Sequence, residues 1–140
     1  MKSFLSGIAL AALLSGGSAA LQPATAQEPM VIEGLTGNVE DGAKVFRRCS
    51  ACHVLEAGKN RVGPSLHGII GATAGQVEGF RYSKANLDSG VTWTPEVLFT
   101  YLENPRKFMP GNRMAFPGLK SPQQRVDLIA YMAANGGAAN

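Results

Sequence analysis

Cys49-Ser50-Ala51-Cys52-His53 is the segment that most narrows what this 140-residue chain can become. It holds the chain's only two cysteines. Their i, i+3 spacing puts both thiols on one side of a helical turn, with a histidine following at once. A redox dithiol, a structural disulfide and half of a zinc site compete for such a pair. A thioredoxin-like dithiol requires a βαβ context, and no such pattern is visible. A zinc site requires a second Cys or His pair at ligand spacing, which the sequence does not offer. A disulfide is the default for cysteines in an oxidising compartment. The full C-x-x-C-H pattern, however, reads as covalent attachment of a c-type haem. Each thiol can add to one porphyrin vinyl group, and the imidazole of His53 then falls under the iron as its proximal ligand. One covalent haem c and its iron are therefore expected.

The N-terminus agrees with that chemistry. Met1-Lys2 carries one positive charge, an apolar stretch runs from Phe4 to Leu14, and a region of small residues ends in Ala24-Thr25-Ala26. That order is a secretory signal peptide. The apolar run is too short for a bilayer span, which takes about 20 residues. Residues 1–26 are expected to be removed, leaving Gln27 first; an earlier cut after Ala20 is the alternative. The product is expected in the periplasm. Residues 27–140 suffice for one small domain, whose core would be marginal without a cofactor. The formal charge is +3, with no dense Lys/Arg run and no nucleic-acid motif, so no nucleic-acid partner is expected. A mild positive excess suits steering towards an acidic protein.

The remaining pattern is helical. A first helix is expected from Asn38 as N-cap to about Cys49, with Glu40 and Asp41 in its first turn and Val39, Gly42, Val45 and Phe46 on one face. The lead-in from Glu28 to Gly37 is expected to be poorly ordered at its start. From His53 to Gly79 glycine and proline recur and periodicity is lost, as in loops wrapped around something. A short helix is expected from Ser83 to Asp88. Thr94-Pro95 opens a third that stops at Asn104-Pro105. Pro105 to Gly118 reads as a structureless loop. Ser121-Pro122-Gln123-Gln124 is a capping-box start for a last helix with Val126, Leu128, Ile129 and Tyr131 on its apolar side. Asn135-Gly136-Gly137 ends it, before a small, flexible tail. The fold class is all-α: three main helices plus short helices and loops that look too long unless they wrap a cofactor.

Whether the iron keeps an open position decides between catalysis or gas binding and electron transfer. A methionine thioether closes it and favours electron transfer. The mature chain offers Met30, Met109, Met114 and Met132. Met132 sits in the last helix, where a thioether is more often core filling. Met109 and Met114 share the loop Phe108-Met109-Pro110-Gly111-Asn112-Arg113-Met114. Residue chemistry alone does not choose between them.

From about Gly37 to Met132 the sequence resembles the class I cytochromes c, nearest the bacterial cytochrome c2 group and mitochondrial cytochrome c. The resemblance rests on Cys-Ser-Ala-Cys-His, Gly63-Pro64-Ser65-Leu66-His67-Gly68, Gly90-Val91-Thr92-Trp93, Tyr101-Leu102-Glu103-Asn104-Pro105, Met109-Pro110-Gly111-Asn112-Arg113-Met114-Ala115-Phe116 and Asp127-Leu128-Ile129-Ala130-Tyr131. It implies a cytochrome c fold and Met114 as the distal ligand, with Met109 at an aliphatic packing position. It implies that the Pro64 carbonyl accepts the second imidazole N–H of His53 and that Tyr101 hydrogen-bonds the distal sulfur. Tyr82 and Trp93 would bond a haem propionate, with Asn86 in the same polar network. Gly42 and Phe46 would meet Leu128 and Tyr131 where the first and last helices cross. His67 reads as a surface or loop-bonding histidine. Two positions depart from the family pattern. Ala72 stands where many members carry an arginine near a propionate, and Asn112 replaces the usual threonine, its amide still able to donate to a propionate.

The resemblance implies a one-electron carrier, not an enzyme, and a monomer. Arg48, Arg61, Arg106, Lys107, Arg113 and Lys120 would ring the haem edge and steer transient docking. Partners of that kind are a bc1-type complex, a photosynthetic reaction centre, a terminal oxidase or a periplasmic dehydrogenase. An enzyme or gas sensor with an open iron, and an electron-transfer subunit fixed in a larger complex, are the competing classes. The Met114 loop argues against the first. The second would suit an exposed apolar patch or a retained anchor, and neither is clear in the sequence.

Overall fold

The computed structural model describes residues 28–138. The expected signal peptide and its cleavage position lie outside the described residues. The described chain opens with a feature the all-α expectation lacked: Val31–Ile32 (β1) and Leu35–Thr36 (β2) form an antiparallel hairpin. The two-residue turn between them has φ 51° at Glu33 and 78° at Gly34. Positive φ at both central positions is the turn whose twist suits a tight hairpin. The lead-in is thus ordered from the hairpin onward, because Ile32 is buried in the core and Gln123 donates to the Thr36 carbonyl at 2.9 Å.

Asn38 caps the first helix, α1 (Val39–Phe46), by accepting the Asp41 N–H. The same residue donates its backbone N–H to Asp127 Oδ1 at 2.8 Å, tying α1 to the last helix. The α-helix stops at Phe46 rather than Cys49, but helical turns carry on, with Ser50 N–H on Phe46 O at 2.9 Å and His53 N–H on Cys49 O at 2.9 Å. Ser83 caps α2 (Lys84–Asp88), and Thr94-Pro95 opens α3 (Pro95–Glu103) as expected.

The segment after α3 is not structureless. Asn104 caps a further helical turn, α4 (Pro105–Phe108), by accepting the Lys107 N–H. Asn104-Pro105 is the same cap-then-proline signal as Thr94-Pro95 and Ser121-Pro122; read as the end of α3, it also begins α4. The last helix, α5 (Pro122–Met132), is capped by Ser121. It passes into a wide turn, Ala133–Gly137, with Gly136 at φ 96°. The tail does not run free there. Gly68 and Ile70 donate to the carbonyls of Gly136 and Gly137, both at 2.8 Å.

α1 crosses α5, and α3 also packs on α5. A Cβ at Gly42 would lie 2.1 Å from the Asp127 carbonyl and 2.6 Å from Tyr131 Cβ, so only glycine permits this approach. Phe46 meets the Tyr131 ring at 5.2 Å between centroids. Leu119, Val126, Leu128 and Ile129 form the driest part of the core. Thus the fold is helical with one small hairpin. No helix among the described residues is long and apolar enough to cross a membrane.

Candidate haem site

Cys49 and Cys52 lie on the helical turns that continue α1, and their thiols are not joined to each other. Burial pushes the Cys49 thiol up to about 11, against the pull of Arg48. His53 follows on the same turns. Its Nδ1 lies 2.7 Å from the Pro64 carbonyl. A carbonyl only accepts, so Nδ1 carries the proton and Nε2 keeps its lone pair. Burial also lowers the imidazole pKa, the Pro64 bond opposing it, and this favours the neutral form a metal ligand needs.

Gly63, whose only sequence signal is its place in the Gly-Pro motif, cradles the ring. A Cβ there would stand 2.3 Å from His53 Cε1 and 2.7 Å from both ring nitrogens. Gly63→Ala is therefore expected to turn the imidazole away from Pro64 and loosen it. The check is the Nδ1–H proton signal in NMR spectra of the reduced holoprotein; an unshifted, equally protected proton would overturn the expectation.

Loop 109–118 carries Met114, which is half-buried against the core. The Tyr101 hydroxyl, on α3, donates to Met114 Sδ at 3.7 Å. Burial raises the Tyr101 pKa to about 12, so the phenol keeps that proton at any ordinary pH. Tyr101 is itself held by Trp93 at 4.7 Å and by Phe108 at 5.5 Å between ring centroids. Met109 and Met132 are buried in the core, with Met30 packed against it.

Tyr82 and Ala72 line one cavity of about 260 Å³ together with Thr73, Gln76 and the exposed His67. Trp93 is buried, and its backbone N–H is bound to the Ala72 carbonyl at 2.8 Å. Ala72, Tyr82 and Trp93 thus share one region. Asn86 instead turns its amide to Ser83 Oγ at 3.1 Å, within the α2 cap. His67 Nδ1 lies 3.3 Å from the Leu55 carbonyl.

Asn112 turns its side chain to the surrounding backbone. Its amide donates to the carbonyls of Pro105 at 2.8 Å and Met109 at 2.7 Å, which uses both of its hydrogens. Two further links had no sequence signal. Asn60 accepts the Ser65 N–H at 3.0 Å and donates to the Glu78 carbonyl at 2.9 Å, joining two loops. Arg48 lies over the Phe116 ring, 5.4 Å from its centroid, which joins the attachment turns to the distal loop.

Arg48, Arg61, Arg106, Lys107, Arg113 and Lys120 are all exposed. Among the described residues the ion pairs are Lys44–Asp41, Lys59–Glu56 and Lys84–Asp88, so none of those six cations is matched by a carboxylate. Nor do three His, Cys, Asp or Glu side chains converge as a site for a bare metal ion among the described residues. Two separate thiols, an imidazole with a free Nε2 in a glycine cradle and a thioether are a donor set that suits an iron porphyrin.

Comparison with known proteins points the same way. The family described as Cytochrome c matches residues 39–135. A cytochrome c of Trypanosoma brucei brucei is 66% identical over 77 residues, 55% of this chain and 83% of that one. Cytochrome c2 of Rhodopila globiformis is 46% identical over 97 residues, 69% of this chain and 92% of its own. The solved structure of cytochrome cH from Methylobacterium extorquens is similar at a TM-score of 0.66 and 41% identity, over 70% of this chain and 99% of that one. The chain belongs to the cytochrome c family: it is a class I c-type cytochrome, an electron-transfer protein and not an enzyme, that carries one covalent haem c with its iron.

Proposed function

We propose that this cytochrome is an exported, periplasmic one-electron shuttle whose haem is attached through Cys49 and Cys52 and whose iron is ligated by His53 and Met114. The haem supplies an iron that gains and loses one electron. The protein's part is to keep both ligands in place in either oxidation state, so that little moves when an electron passes. The observation that carries this reading is that each ligand is held from behind by a hydrogen bond, His53 by the Pro64 carbonyl at 2.7 Å and Met114 by the Tyr101 hydroxyl at 3.7 Å. Such support fixes orientation and tunes the ligand. Tyr82 and Trp93 are proposed as the polar environment of the propionates, with Asn86 behind them through the α2 cap.

Export rests on the pattern of residues 1–26, which precede the family match at residue 39. The unpaired cations Arg48, Arg61, Arg106, Lys107, Arg113 and Lys120 support docking on acidic partners by long-range steering into a small, transient interface. A bc1-type complex with a reaction centre or terminal oxidase, or a periplasmic dehydrogenase, would meet that description.

The test is visible absorption of the reduced protein with and without carbon monoxide. No spectral change is expected. Rapid, tight binding would mean a labile sixth position and would put a sensor or catalytic role ahead.

A further inference from the structure

Met114 has a weak hold at its sulfur and sits in a loop without regular structure, so its backbone must be fixed by other means. We infer that Asn112 is the positioning residue that holds Met114 on the iron, acting through the loop backbone; this rests on the proposed Met114 ligation. The Asn112 side chain makes three hydrogen bonds at once. Its Nδ2 donates to Pro105 O at 2.8 Å and to Met109 O at 2.7 Å. Its Oδ1 accepts the Met114 N–H at 2.9 Å.

The two carbonyls belong to α4 and its C-cap, and each also accepts a backbone N–H, Pro105 O from Met109 at 3.0 Å and Met109 O from Asn112 at 3.2 Å, so the amide adds a second donor to each. One amide thus joins the carbonyl end of α4 to the backbone of the ligand itself. α4 follows directly on α3, the helix that carries Tyr101. The backbone anchor and the sulfur anchor of Met114 are therefore fixed to one continuous frame. A second side-chain tie next to the ligand is Arg113, whose Nη2 donates to the Tyr82 carbonyl at 2.7 Å on the opposite loop.

The chemistry is specific to asparagine. An amide offers two donor hydrogens and an acceptor in one plane, whereas a threonine hydroxyl has a single donor hydrogen. Threonine, the residue the family pattern would place here, can satisfy one carbonyl and the Met114 N–H at most. Aspartate keeps the acceptor but turns a carboxylate on two carbonyl oxygens. The variants therefore rank: Asn112 holds most firmly, threonine less, alanine and aspartate least.

The experiment uses ferric holoprotein and imidazole as the probe. At saturating imidazole the exchange rate equals the rate at which Met114 leaves the iron. Asn112→Ala and Asn112→Asp are expected to raise that limiting rate about tenfold, which is ~1.4 kcal/mol in loop opening. Asn112→Thr is expected between them and the parent, and it carries the test alone if the other two do not load haem. The methionine-to-iron charge-transfer band should weaken in the same order. Tyr101→Phe, which removes only the sulfur bond, should leave the effect of Asn112→Thr intact. Global denaturant midpoints measured alongside separate the two roles, since a merely structural residue would lower the midpoint and leave the limiting rate alone. Limiting rates within twofold of the parent, with the band unchanged, would overturn the inference. A parent protein without that band would overturn the Met114 reading, and this inference with it.

Discussion

Cys49→Ser combined with Cys52→Ser is expected to leave, in the absence of haem, a chain that has lost most of its native helical circular dichroism. Among the described residues the longest helix, α5, has 11 residues, and α1 has 8. Helices shorter than about 12–15 residues are marginal in water on their own. Between Cys52 and α2 lies a run of loops with two isolated bridges and no regular element. Fixing each residue of such a stretch costs about 1–2 kcal/mol of backbone entropy. A chain of this size has little core burial to offset that cost. A covalently attached porphyrin supplies apolar surface and a fixed centre for those loops. Far-ultraviolet circular dichroism of the double variant decides the matter. A native-like helical spectrum would show that the protein core suffices and that the loops do not need the haem.

Gly42→Ala is expected to destabilise the holoprotein by about 3 kcal/mol, the upper end for overpacking a well-fitted core. Two effects oppose each other. Alanine is the better helix former by about 1 kcal/mol, which would stabilise α1 in isolation. Against this, the new Cβ would stand 2.1 Å from the Asp127 carbonyl and 2.6 Å from Tyr131 Cβ. The first of these is backbone, which cannot rotate away, so α5 has to move as a unit. Such a shift would strain the Asn38–Asp127 hydrogen bond and the Phe46–Tyr131 contact together. The clash therefore wins over propensity. Denaturant unfolding of the holoprotein measures it, and a midpoint equal to or above the parent's would refute the packing argument.

Both expectations start from positions that stand out in the sequence, but they became legible in different ways. The attachment motif is local: three residues of spacing decide where two thiols and an imidazole lie on a turn. The caps at Asn38, Ser83, Thr94 and Ser121 are equally local, each bonding an N–H three residues on. Asn104-Pro105 is ambiguous in sequence, because the same cap-then-proline pair can close one helix and open the next, and here it does both. The hairpin escaped because its strands are two residues long, too short to show alternation; the Glu33-Gly34 pair between apolar residues was its only trace.

What the sequence by itself determined were the starts of α1, α2, α3 and α5 and the placing of Cys49, Cys52 and His53 on one set of helical turns. Each depends on groups a few residues apart, which backbone geometry relates directly. Tertiary structure alone decided that Gly63 cradles His53, that Asn60 joins two loops, and that Asn112 spends its amide on the Pro105 and Met109 carbonyls. Hydrogen-bonding capacity can be read from a residue's type. Which of several carbonyls, sulfurs or ligand atoms receives that bond depends on how the loops close in space, and no local periodicity encodes it.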